Sequence, residues 1–239
     1  MNSKTLSLYY KQSLQRKETL KKLNLSDGYA LLYNVLVPEV FCVDLVRIGR
    51  IGDGGKWICN PSALLSFKDC TIYSLGLSND PSFEMDLQEY LNNKCKLRSF
   101  DKDDQNPETM EKLKISNGIF MTALISQKTN ESDNEYTFKD ILHKFRDNRI
   151  DILKVDIEGA ELDISDEFVT TPICQLLIEN HGENVIISLN LLKKLSKNGF
   201  YLFSYEINGL HHSLSEYSFI HENCLKDYGV NVIYGKYLS

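Results

Sequence analysis

The stretch Asp151-Ile152-Leu153-Lys154-Val155-Asp156-Ile157-Glu158-Gly159-Ala160-Glu161 runs from an apolar segment straight into carboxylates. The apolar run ends at Asp156 and Glu158, and the small pair Gly159-Ala160 and a further acid follow. A buried strand that stops at acids marks the carboxyl edge of an open α/β sheet, where loops diverge and ligands bind. Asp156 and Glu158 lie two apart, so an extended backbone would point both the same way. Gly159 and Ala160 let backbone or ligand come close. The stretch is expected to form the active-site edge.

Upstream, Thr71 to Leu75 is a short β-rich run that ends in Gly76-Leu77-Ser78-Asn79-Asp80-Pro81. Residues Ser82 to Asn92 then read as a helix, with Ser82 as its candidate cap. Strand, small-residue loop and helix N-terminus form the layout that receives the polar part of a nucleotide-like cofactor. The full Gly-x-Gly-x-x-Gly is absent, because Ser78 and Pro81 replace its second and third glycines. That counts against a pyrophosphate site, whereas a cofactor without phosphate needs less from the loop. Lys96 to Phe100 reads as the next strand and ends at Asp101. An acid there is placed to bind a ribose hydroxyl pair. The plain alternative is an acidic helix start shared with Asp103 and Asp104.

Residues 105–114 read as helical, Gly118 to Ile125 as a third strand, 127–136 as a surface loop, and Thr137 to Phe145 as a helix. A short helix to Phe168 is expected after Glu161. Pro172 to Ile178 is a fifth strand, followed by Glu179, Asn180, His181 and Gly182. Asn184 to Lys197 is a helix that stops at Asn198-Gly199. Phe200 to Glu206 reads as a sixth strand and Asn231 to Gly235 as the last. Near the N-terminus, residues 4–34 read as one or two helices broken at Ser26-Asp27-Gly28. Phe41 to Gly49 looks extended. Gly52-Asp53-Gly54-Gly55 is most simply a hairpin turn before the strand of Lys56 to Cys59, the other reading being a loop against the cofactor. Alternating strands and helices imply a mostly parallel sheet. The expected division is a helical extension at 1–38 and one domain at 39–239.

A chain of 239 residues with 42% hydrophobic content fits one large α/β domain with a sizeable core. Its net charge of −6 makes it a poor default binder of nucleic acid. Residues 1–30 carry six basic and two acidic side chains, read as a solvated helix face. No run of about 18 apolar residues occurs, so no membrane span is expected. The N-terminus also lacks the apolar stretch of a secretory signal. The expected compartment is the cytoplasm, or the secretory lumen if a signal precedes this sequence. Six cysteines are scattered without C-x-x-C, which argues against zinc and against a disulfide-dense scaffold. Most are expected to be free and buried. Cys42 and Cys59 flank the Gly-rich turn and could pair in an oxidising compartment.

Four strand ends thus present polar groups: Gly76 to Asp80, Asp101, Asp156 with Glu158, and Glu179 with His181. Right-handed crossovers set such ends side by side. Leu153 to Glu161 resembles the signature of FkbM-type methyltransferases, which depend on S-adenosylmethionine. Arg47-Ile48-Gly49, Asp53 to Trp57, Tyr73 to Gly76 and Ser82-Phe83-Glu84 resemble the methyltransferase-like protein 24 branch. The resemblance spans roughly residues 40–235. It implies a class I methyltransferase, Rossmann-like: a seven-stranded, mostly parallel sheet with its last strand antiparallel, in a three-layer α/β/α sandwich. It also implies that Gly76, Leu77, Ser78 and Asp80 hold the methionine part, Asp101 the ribose hydroxyls, and Asp156 the reaction edge. Members methylate hydroxyl oxygens of sugars or small molecules, so a partner of that class is expected and nucleic acid is not. The sequence departs from the branch in showing no N-terminal membrane anchor.

Methyl transfer from a sulfonium is an in-line displacement that needs positioning and a base for the acceptor hydroxyl. Asp156, Glu158 and His181 are the expected catalytic set, with Glu179 as a further candidate base; His181 titrates in the right range. Two acids and a histidine could instead hold a divalent cation that lowers the acceptor's pKa. No metal is assigned, because strand-end acids also bind the cofactor amine or cap the next helix. His211 and His212 read as loop histidines. Tyr205, Tyr217 and Phe219 read as aromatic core, with lining of the acceptor pocket as the alternative. Two rival functions remain open at this point. One is a nucleotide-sugar transferase using Asp156 and Glu158 with a metal. The other is a methyltransferase-like fold kept as a binding module, which the imperfect glycine loop favours and the acid set opposes.

Overall fold

The computed structural model describes residues 3–209 and 211–239; Met1, Asn2 and Leu210 lie outside them. Along the chain come helices α1 (Ser3–Lys22) and α2 (Gly28–Val35), then strands β1 (Val40–Phe41), β2 (Leu45–Ile48), β3 (Lys56–Cys59) and β4 (Thr71–Leu75). Next are α3 (Ser82–Tyr90), β5 (Lys96–Asp101), α4 (Pro107–Ile115), β6 (Gly118–Thr122), β7 (Leu124–Ile125), β8 (Glu135–Tyr136) and α5 (Phe138–Phe145). The second half holds β9 (Ile150–Val155), α6 (Ala160–Asp163), α7 (Ser165–Thr170), β10 (Ile173–Asn180), α8 (Val185–Lys197), β11 (Phe200–Ile207), β12 (Ser215–His221) and β13 (Asn231–Val232).

Every residue of β4, β9 and β10 is buried, because helices cover both faces of this part of the sheet. Seven strands pair in the order β11-β12-β10-β9-β4-β5-β6. β10, β9, β4, β5 and β6 run parallel, and β12 lies antiparallel between β10 and β11. That order is the class I methyltransferase sheet. Side chains alternate between the two faces as the pleat requires. Leu153 and Leu176 pack with Leu32, Phe138, Phe168 and Leu192 on one side. Their neighbours Ile152 and Leu177 pack with Ile58, Leu87 and Leu113 on the other. Truncating any of these to alanine would cost about 2–5 kcal/mol. α1 and α2 join the first layer through Leu20 and Leu32.

Several expectations change. The last strand of the sheet is β12, not residues 231–235; Asn231–Val232 makes only a two-residue pairing with Val40–Phe41. β12 escapes a search for apolar runs because Ser215, Glu216 and Ser218 are buried within it. The third strand breaks at Ala123, and β7 turns off to pair with β8 in what was expected to be plain loop. Ser82 does not cap α3: it is the first helical residue, its N–H donates to Asp80 Oδ1, and its hydroxyl accepts from Arg50 N. Tyr217 and Phe219 are wholly buried in the core, and the Tyr205 hydroxyl donates to Tyr33 O, so none of the three lines an acceptor pocket.

The cysteines also differ from expectation. All six pair, as Cys42–Cys59, Cys70–Cys95 and Cys174–Cys224. Cys70 and Cys95 immediately precede the adjacent parallel strands β4 and β5, so the fold brings together residues that are 25 apart in sequence. Cys174 near the start of β10 meets Cys224 just beyond the end of antiparallel β12. Two of the three cystines therefore sit at the amino edge of the sheet.

Candidate active site

The loop after β4 turns sharply, with positive φ at Gly76, Ser78 and Asn79. A Cβ at position 76 would lie 1.6 Å from the Asp156 carbonyl oxygen, so only glycine lets the ends of β4 and β9 come this close. Asp101, at the end of β5, holds the loop from below. Its Oδ2 accepts from the N–H groups of Leu77 and Ser78, both at 2.7 Å, and its Oδ1 accepts from Asp103 N at 3.0 Å. Two lone pairs per oxygen leave Oδ1 one open direction. Asp101 thus positions the loop from the place at the end of β5 where the sequence put a ribose-binding acid.

Asp156 begins the loop after β9. Its Oδ2 lies 3.4 Å from Nζ of Lys56, which is wholly buried and also donates to Glu216 Oε1 at 2.6 Å. Lys56 comes from β3 and Glu216 from β12, so four separate elements build the cluster once Glu179 of β10 is included. Burial favours loss of the Lys56 proton, but Glu216, Asp156 and Glu179 hold it on above the ordinary value. Burial also works to raise Asp156, yet Lys56 and then Lys154 pull it below the carboxylate norm. Glu179 goes the other way. Its burial, followed by the charges of Glu216 and Asp156, pushes its pKa up to about 8. Burial likewise raises Glu216 against the pull of Lys56. These ammonium groups do not keep all three carboxylates ionised in a dry pocket; Asp156 takes the charge first.

His181 follows β10. Its backbone N–H donates to Glu161 Oε1 at 2.8 Å, and its ring Nδ1 lies 3.1 Å from the same oxygen. Glu161 is wholly buried, and its other oxygen accepts from Gly159 N at 2.8 Å. The arrangement places the Nδ1 proton toward Glu161 and leaves Nε2 facing the cavity. Burial alone would lower the His181 pKa, but the Glu161 hydrogen bond and charge, with Glu179 and Asp156 behind, raise it to about 9. Glu158 stands 3.6 Å from Nε2. Its backbone is left-handed at φ 55°, and its side chain is 82% exposed. The expected shared direction of Asp156 and Glu158 therefore does not come from an extended backbone. They meet at the same cavity across a turn.

That cavity, about 800 Å³, opens along the carboxyl edge of the sheet. Every site residue expected from the sequence lines it, from Gly76 and Asp80 through Asp101 to Asp156, Glu158 and His181, together with Glu179. His211 lines it too; the His212 carbonyl instead accepts from the Tyr33 hydroxyl. The β2–β3 hairpin, read most simply as a turn, also reaches the cavity with Arg50, Asp53 and Gly54. Sequence reasoning missed Lys56 and Glu216, whose importance lies in partners 100 and 160 positions away. The available signal was a lysine opening an otherwise apolar strand. It missed the task of Glu161, although that acid closes the deciding stretch.

A family model described as a methyltransferase domain matches residues 1–221. The chain is 30% identical over 160 residues to the human protein named "Probable methyltransferase-like protein 24", covering 57% of this chain and 42% of that protein. The rat protein of the same name gives 29% over 160 residues, 57% of this chain and 43% of the relative. The match thus takes in less than half the length of these relatives. Among solved structures, the fibrillarin pre-rRNA processing protein of Methanococcus jannaschii is 14% identical with a TM-score of 0.44, covering 75% of this chain and 84% of that one. A SAM dependent methyltransferase of Aquifex aeolicus is 14% identical with a TM-score of 0.40, covering 67% and 89%. These likenesses are loose, and the fold assignment rests on the sheet order itself.

Proposed function

The chain belongs to the methyltransferase-domain family whose model spans residues 1–221, and on that premise we propose that it transfers the methyl group of S-adenosylmethionine to a hydroxyl of a small molecule or sugar. The observation that carries this reading is the convergence of the Gly76 loop, Asp101, Asp156 and the His181–Glu161 pair on one cavity. When bound, the cofactor supplies an electrophilic methyl carbon on a sulfonium sulfur, which leaves as a neutral thioether. The residues fit it. The loop from Gly76 to Asp80 is shaped by positive φ and held by Asp101, whose Oδ1 keeps one direction for a ribose hydroxyl. About 800 Å³ lies in the upper part of the range for small-molecule sites and leaves space for an acceptor beside the cofactor.

Carboxylates outnumber basic side chains around the cavity: Asp53, Asp80, Asp101, Asp103, Asp156, Glu158 and Glu179 face Arg50, Lys102 and Lys154. Such a lining favours a sulfonium and repels a phosphate backbone, which supports a sugar or small-molecule acceptor over nucleic acid. Asp156, held ionised by Lys56 and Lys154, is the group that takes up the acceptor proton, with the charged His181 beside it. The FkbM-type character of the transfer is part of the proposal, carried by the stretch Leu153 to Glu161. So is the division into a helical extension at 1–38 and a transferring domain at 39–239. The three cystines favour work in an oxidising compartment over the cytoplasm.

Calorimetric titration with S-adenosylmethionine in a chelator tests the reading. One site per chain is expected, with weaker binding in Asp101→Ala. Absence of binding, with binding of a nucleotide sugar instead, would overturn it. Methyl-labelled cofactor offered with a panel of sugars and small hydroxyl compounds, and with RNA, tests the acceptor class; label on RNA alone contradicts it.

A further inference from the structure

We propose that Asp156, Glu179 and His181 form a binding site for one divalent cation. The ligand atoms of these three side chains lie within 4.8 Å of one another. Two ligands on opposite sides of one ion stand about 4–4.5 Å apart, so small side-chain adjustments close the site. Three protein ligands leave open positions on the ion, as a site that handles substrate requires.

Two independent observations separate this cluster from an ordinary group of strand-end acids. The first is the carboxylate behind the histidine. Glu161 is wholly buried and takes both the backbone N–H and the Nδ1 of His181, which fixes the ring and leaves Nε2 on the side of Glu158. A histidine that ligates a metal is typically held in this way by an outer carboxylate. The second is a crowd of buried carboxylates, one of which has an oxygen without a donor. Asp156, Glu179 and Glu216 bring three carboxylates to the buried Lys56 ammonium, with buried Lys154 beside them. The nearby Lys154 ammonium donates to the Gly76 carbonyl at 2.6 Å. Glu216 is 6% exposed, and its Oε2 is buried without a hydrogen-bond donor. Its carboxylate lies within 4.8 Å of those of Glu179 and Asp53.

Two carboxylates and one imidazole form a mixed oxygen and nitrogen set, which suits Mn²⁺ or Mg²⁺ better than a thiolate-seeking ion. At this place the ion would lower the pKa of an acceptor hydroxyl, with exposed Glu158 at the rim to receive the proton. That use rests on the methyltransferase reading; the site itself does not.

The test is a titration of the full chain with MnCl₂, followed by electron paramagnetic resonance and calorimetry. One Mn²⁺ per chain is expected. Glu179→Gln and His181→Ala should weaken binding roughly 100-fold or more. Glu161→Gln touches no ion and should weaken it by roughly 10–100-fold through the histidine. Asp103→Asn, a cavity acid outside the cluster, should bind as wild type does. Failure of the wild-type chain to bind Mn²⁺ at millimolar concentration overturns the site, and so does binding that Glu179→Gln leaves intact. Cofactor titration in a chelator keeps the two claims apart. If S-adenosylmethionine binds and Mn²⁺ does not, the cation site falls and the methyltransferase reading stands. If Mn²⁺ binds as described and the cofactor does not, the site stands and that reading falls.

Discussion

Strand β9 carries an aspartate near each end. Asp151, near the amino end, is buried, and its partners match it: Thr71 N donates to one oxygen at 2.9 Å and Arg149 Nε to the other at 3.0 Å. The Tyr228 hydroxyl closes over the same residue by donating to its carbonyl. Asp156, just past the carboxyl end, shares one lysine with Glu216 and lies against the carboxyl of Glu179. Around the amino end lie the Cys70–Cys95 and Cys174–Cys224 cystines, and around the carboxyl end lies the cavity. A strand-end acid is thus not a functional signal in itself. A structural acid has its donors counted out. A working acid sits among like charges that shift its neighbours' pKa values.

Neutralising each aspartate in turn should break the symmetry most strongly. Asp156→Asn is expected to lower methyl transfer by about 10²–10⁴-fold in a single-turnover assay, the usual worth of a positioned proton-handling group. Equal loss in Asp151→Asn would cancel the contrast. The amino edge should show its role in stability instead. Removing the Cys174–Cys224 pair by double serine substitution should cost about 4 kcal/mol in urea unfolding, and the Cys70–Cys95 pair about 3.5 kcal/mol, as chain-entropy reasoning gives for separations of 50 and 25. Cofactor affinity should hold in both variants. Asp151→Asn should come next, at about 1–3 kcal/mol of stability, with cofactor binding unchanged.

A further effect concerns pH and metal-free protein. Glu179 is raised from 4.5 to about 8, so the folded chain keeps a proton there that the unfolded chain gives up. His181 is raised from 6.5 to about 9, with the same consequence at higher pH. Both contributions are greatest at low pH and fade as pH climbs through the folded values. Buried Glu39, raised to about 7, adds a fall of the same sign. The melting temperature should therefore drop between pH 6 and pH 9, and Glu179→Gln should flatten part of that drop. A rise over this interval in the wild type would contradict the charge assignment.

Much of the working edge was legible because β4, β5, β9 and β10 are apolar runs that end in polar residues, and parallel crossovers put such ends together. β12 was not, because its buried Ser215 and Glu216 satisfy partners on helix α2 and strand β3. Lys56 reads as an anomaly in β3 until Asp156 and Glu216 come within reach of it. Glu158 could not be placed because its left-handed backbone is set by the turn into α6, not by the strand before it. Cystine pairing was hidden for the same reason as Lys56: each pair joins neighbours in the folded chain that lie 17 to 50 residues apart in sequence.

Hydrogen–deuterium exchange with and without saturating S-adenosylmethionine tests the central claim most directly, because it reads both edges of the sheet in one experiment. The account predicts slower exchange in residues 76–82, 101–105 and 156–161 on adding the cofactor, with residues 149–151 and 70–71 unchanged. Protection at the amino edge alone, or no change anywhere at a concentration that saturates other methyltransferases, would contradict it.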